Sequence, residues 1–104
     1  MPATKPKVRV INGHKVTLYY VGELANRVNR TTTLVRHWET IGVIPATWFH
    51  DEKGRRMYTE EMIDLIVQSL KESPIGTGKP VKNSDFSALC HEGFERLHKK
   101  YFGR

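Results

Sequence analysis

Residues 21–70, VGELANRVNRTTTLVRHWETIGVIPATWFHDEKGRRMYTEEMIDLIVQSL, carry the reading of the fold. Val21, Leu24, Ala25 and Val28 are spaced three and four apart and predict a short helix from about Val21 to Val28. Asn29 and Arg30 interrupt that pattern. One of Thr31, Thr32 and Thr33 is suited to cap the next helix by accepting a backbone N–H bond, which leaves the others to reach a partner. On a helical wheel that second helix, roughly Thr32–Ile41, gathers Leu34, Val35, Trp38 and Ile41 into one arc. Thr32, Thr33, Arg36, His37 and Thr40 lie opposite, with Glu39 at the edge. Short hydroxyls beside a cation suit close approach to base edges and phosphates.

Gly42 ends the second helix, and HDEKG, residues 50–54, is a turn between the strand-like flanks ATWF and RRMY. Thr59 is placed to cap a third helix whose first turn, Glu60-Glu61, sits where the helix dipole favours negative charge. Met62, Ile63, Ile66, Val67 and Leu70 give it an apolar face. A helix, a tight turn, a basic helix, a basic hairpin and a third helix make a winged helix-turn-helix, an arrangement that grips duplex DNA.

From about Tyr20 to Leu70 the chain resembles the DNA-binding domain of the MerR family, and more broadly the MerR-like winged helices of phage excisionases and terminase small subunits. VGELANRVNR resembles the family's first helix. VRHWETIGVIP resembles its hallmark Leu-Arg-Tyr-Tyr-Glu, Ile-Gly-Leu and Pro run, and GRRMYTEE the Arg-rich end of the wing and the start of helix three. The resemblance implies a winged helix-turn-helix core; with the N-terminal hairpin and C-terminal helix read from the residues themselves, the expected fold is mostly α with small β-hairpins. The resemblance also implies that Arg36 is the recognition-helix arginine, that His37 stands where the family has an exposed phosphate-contacting tyrosine, and that Trp38 replaces the neighbouring aromatic. Arg55 and Arg56 fall on the basic wing positions, and Tyr58 on the aromatic before helix three. The expected DNA-contacting set is therefore Arg30, Thr31, Thr32, Thr33, Arg36, His37 and Thr40 with Lys53, Arg55, Arg56 and Tyr58. Tyr20 departs from the family's usual Ser or Thr cap, so the preceding hairpin is expected to hold the start of helix one. The 34 residues after Leu70 are too few for both a dimerisation coiled coil and an effector-sensing domain, so metal or drug sensing is not expected.

Outside this stretch the sequence divides into a basic arm and hairpin (1–20), the winged helix-turn-helix (21–72), a linker (73–83) and an amphipathic C-terminal helix (84–104). VRVINGHKVTLYY, residues 8–20, places Asn12-Gly13 between two β-prone segments, a hairpin signal because both turn residues tolerate positive φ. SPIGTGKPVKN is Pro- and Gly-rich with no apolar period. Phe86, Leu89, Cys90, Gly93, Phe94, Leu97 and Tyr101 share one broad arc, with Gly93 suited to a close helix crossing. This arc can dock on its own core or on a second subunit, and because one short recognition helix reads few base pairs, a homodimer or cooperative oligomer through it is favoured over packing within the chain.

Composition agrees with an acidic polymer as partner: 17 Lys and Arg against 11 Asp and Glu give +6 over 104 residues, with 38% apolar residues for one modest core. The single Cys90 permits no internal disulfide. His91 and His98 lack the i, i+4 spacing of paired ligands on one helix, so no metal or other cofactor is expected. No nucleophile, base and orienting group stand at a recognisable spacing, so the chain is not expected to be an enzyme. No long apolar run and no signal-peptide core are present, which predicts a cytoplasmic, nucleoid-associated protein without membrane contact. The reading is a sequence-specific double-stranded DNA-binding transcription regulator from a prokaryote or phage. A phage-type architectural factor, a winged-helix protein-interaction module and an RNA-binding domain stand as alternatives.

Overall fold

The computed structural model describes residues 6–11, 13–75 and 84–103. Most of the N-terminal arm, Asn12 of the expected turn, residues 76–83 of the expected linker and Arg104 lie outside the described residues. The elements run β1 (Lys7–Ile11), β2 (His14–Tyr20), α1 (Val21–Val28), α2 (Thr32–Thr40), β3 (Phe49–His50), β4 (Arg56–Thr59), α3 (Glu60–Glu72) and α4 (Asp85–Phe102).

The four strands form one antiparallel sheet in the order β1-β2-β4-β3. The two hairpins are joined by pairing of Leu18, Tyr19 and Tyr20 with Thr59, Tyr58 and Met57. Such a union between segments about 40 residues apart leaves no mark on local periodicity. The β3–β4 ladder is shorter than the ATWF and RRMY flanks suggest, because Thr47 leaves it early. Its N–H goes to Glu39 at 3.0 Å, and its hydroxyl donates to the Met57 carbonyl. The sheet curls enough for Arg9 on edge strand β1 to donate to the His50 carbonyl on the opposite edge strand β3, at 3.2 Å.

β2 runs straight into α1, and Tyr20 precedes the helix with no side-chain cap. Its hydroxyl instead donates to Asp51 at 2.9 Å, tying the helix entrance to the β3–β4 turn. Val21, Leu24, Ala25 and Val28 are buried, and Asn29 ends α1 in the left-handed region at φ 56°, which Asn tolerates. Thr31 caps α2 and Thr59 caps α3, each accepting a main-chain N–H at 3.1 Å. Val35 and Trp38 turn into the core, whereas Leu34, placed in the apolar arc by the wheel, is 36% exposed.

α4 packs along α3, and Gly93 makes the approach possible: a Cβ there would fall inside the Leu65 side chain. Phe86 meets Trp38 edge-on at 5.3 Å between centroids, and Phe94 and Tyr101 pack against Trp48. Ser87 donates to Val43 O at 2.7 Å and His91 to Gly42 O at 2.8 Å, so α4 also holds the turn that ends α2. Much of the apolar arc of α4 is thus used within the chain itself. Phe86, Cys90, Phe94 and Tyr101 are each at most 6% exposed inside their own chain, and burial pushes the Cys90 thiol up to about 12. A dimer built through those side chains would first have to unseat the core. Among the described residues, no helix is long and apolar enough to cross a membrane.

Candidate nucleic-acid interface

α2 presents Thr33, Arg36, His37 and Thr40 to solvent, with Thr32 half-buried beside them. The Thr40 hydroxyl donates to the Arg36 carbonyl at 3.0 Å, an i−4 back-bond that leaves its lone pairs outward. Thr31, exposed at the helix start, is occupied as the cap. Arg30 bends over its own loop, its Nη1 donating to the carbonyls of Val28 and Asn29 at 3.1 Å each.

Glu39 is the side chain that organises this surface. Only 7% of it is exposed, and it accepts from Thr47 N and Tyr58 Oη at 3.0 Å each and from Arg56 Nε. The one carboxylate of α2 is thereby turned inward, and the exposed face of the helix carries cation and hydroxyl groups without an acid. The same contacts fix β4 against α2. Burial, followed by the charge of Glu39, pushes the Tyr58 hydroxyl far above its ordinary value, so it stays a donor.

A second buried carboxylate shapes the β3–β4 turn. Asp51 accepts from Lys53 N at 2.9 Å, Arg55 N at 2.8 Å, Arg55 Nε at 2.7 Å and the Tyr20 hydroxyl. Burial alone would raise its pKa, but these bonds, led by those from Arg55, outweigh it and hold the carboxyl well below the usual carboxylate range. Gly54, at φ +80°, supplies the left-handed residue of the turn. Lys53 is exposed at the tip, and Arg55 lies over the Tyr20 ring at 4.9 Å with half its side chain in solvent.

The half of the chain that builds this surface, residues 19–70, matches the family model described as MerR HTH family regulatory protein. The chain belongs to this family. No curated protein and no solved structure gives a significant match.

Of the residues expected to touch DNA, the fold brings Thr33, Arg36, His37 and Thr40 together on α2, and Lys53 and Arg55 together on the hairpin. Arg56 is one-third exposed and committed to Glu39. Tyr58, at the family's aromatic position, is corrected: it is 0% exposed and cannot meet a ligand. Its neighbour Met57 is also 0% exposed, and successive strand residues point to opposite faces, so β4 is covered on both sides. Arg27, in the last turn of α1, is not a free cation. Glu23, Glu60 and Asp64 surround it, and the Glu60 contact holds its pKa above the ordinary value. Sequence reasoning did not single out Glu39, Thr47 or Asp51. The available signal was the MerR hallmark itself, which ends its aromatic pair on a glutamate.

Proposed function

We propose that this MerR-family chain is a sequence-specific duplex-DNA-binding regulator of transcription. In this reading α2 is the recognition helix and enters the major groove. The hairpin of β3 and β4 is a wing that lays Lys53 and Arg55 along phosphates, and residues 21–72 form the DNA-binding unit, buttressed by α4. Thr33, Arg36, His37 and Thr40 meet base edges and nearby phosphates, whereas Arg56 and Tyr58 act from behind by setting the wing on Glu39.

One observation carries the reading: the inward turn of Glu39 leaves α2 with a solvent face of hydroxyls, an arginine and a histidine and no exposed carboxylate. A surface meant for a basic or neutral partner has no need to sequester its acid. With a small number of phosphates neutralised, the logarithm of the association constant should fall linearly with log salt, with a slope on the order of −3 to −6. Fluorescence anisotropy of labelled duplexes across a salt series measures it. A flat response, or a preference for structured RNA, would overturn the reading.

A further inference from the structure

We infer that the hairpin of β1 and β2 is a second DNA-contacting ribbon, whose Lys7, Arg9 and Lys15 bind the sugar–phosphate backbone next to the wing. This rests on the duplex-DNA reading above and extends its footprint beyond residues 21–72.

Four observations carry it. First, the sequence up to Gly22 contains Lys5, Lys7, Arg9 and Lys15 and no carboxylate; the first acid is Glu23. Second, Lys7, Arg9, His14 and Lys15 are all exposed, and among the described residues no ion pair involves them. Lys15 borders a groove of about 270 Å³ that also holds Glu60 and Glu61, but those carboxylates are already taken by Arg27 and Lys100.

Third, most of the ribbon is not spent on packing. β2 pairs with β4 only through Leu18–Tyr20, and Val8 and Val10 remain 67% and 63% exposed. Cross-strand partners share a face, so Lys7 and Arg9 lie on the face of Leu18 and Val16, and Lys15 on the other with Val10. A ribbon with cations on both faces can address both phosphate walls of a groove. Fourth, the hydrogen bond from Arg9 to His50 O sets the ribbon beside the end of β3 that enters the Asp51–Arg55 turn, so its charges continue the strip begun by Lys53 and Arg55.

The test is the full chain with Lys7→Gln, Arg9→Gln and Lys15→Gln together, compared with wild type by salt-dependent anisotropy and hydroxyl-radical footprinting on the same duplex. The expected result is a log–log salt slope shallower by roughly 2–3, about 0.9 for each phosphate that is no longer neutralised. Protection at the outer edge of the footprint should disappear while protection at the α2 site remains. The pair Lys7→Gln with Lys15→Gln keeps the Arg9 bond to His50, and should give roughly two-thirds of that change without disturbing the fold. Equal slopes and footprints, with wild type binding normally, would overturn the ribbon and leave α2 and the wing standing. Wild type that shows no salt-dependent duplex binding would overturn both readings.

Discussion

The Tyr58 hydroxyl on β4 donates to Glu39 Oε2 on α2 at 3.0 Å, joining the helix to the strand that follows the β3–β4 turn. Arg56 and the Thr47 amide meet the same carboxylate. Replacing Glu39 leaves a buried hydroxyl and a main-chain N–H without their acceptor and frees Arg56 from its partner. Glu39→Ala is expected to lower stability by about 2–4 kcal/mol in urea unfolding, the range for breaking a buried, multiply bonded charge. Glu39→Gln, which keeps an acceptor, should cost less and serve as the control for geometry.

Arg36 and Trp38 are two residues apart on α2 and should fail in opposite ways. Arg36→Ala should leave the melting temperature unchanged and cost about 1–3 kcal/mol of DNA affinity, with preference relaxed at one base position. Trp38, 2% exposed and packed on Phe86, should cost about 3–5 kcal/mol of stability when cut to Ala. Calorimetry and binding selection separate the two. A stable Trp38→Ala protein with selectively lost binding would reverse the inside and outside of the helix.

Acid should weaken the fold through Asp51. Its folded pKa lies below its ordinary value of 3.8, so the unfolded chain binds its proton more readily and protonation favours unfolding. The stabilisation is complete above about pH 5 and is lost as pH falls through 3.8 and below. Glu60, held down first by Arg27, and Glu61, held down first by Lys100, add to the loss on the same side. Asp51→Asn should melt lower than wild type at about pH 7, and the gap should close toward about pH 2. A gap that stays constant across that range would show that the charge of Asp51 is not what the turn depends on.

A chain ending at Ser73 should not fold. It would lose Phe86, Phe94 and Tyr101, each buried and each worth about 3–5 kcal/mol, against a total stability of about 5–15 kcal/mol for a small domain. Circular dichroism of the truncated protein should show the loss directly. The intact chain should sediment as a monomer at tens of micromolar without DNA if the α4 arc is fully used within the chain.

The helices were legible because each repeats apolar residues at helical spacing, in α2, α3 and α4 behind a capping hydroxyl: Thr31, Thr59 and Ser84 all accept the expected main-chain bond. The exposed side of α2 was legible for the same reason. What local pattern could not carry were partnerships between distant residues. Arg27 looks like a free cation until Glu60, 33 residues on, closes over it. Glu39 looks like an edge residue of a wheel until Arg56 and Tyr58 arrive from β4. The wide arc of α4 reads equally well as an oligomer face or a core face, since amphipathicity states that a face must be covered and not by what. The gap under Trp38 and Trp48, which decides it, exists only in three dimensions.

The bond from Ser87 to the carbonyl of Val43 spans 44 residues of chain, and Phe86 beside it completes the packing under Trp38. During synthesis, therefore, the ribosome has already released α2 and the β3–β4 hairpin long before the piece that seats them emerges. Until α4 arrives, the nascent polypeptide carries its basic helix over an unfinished core.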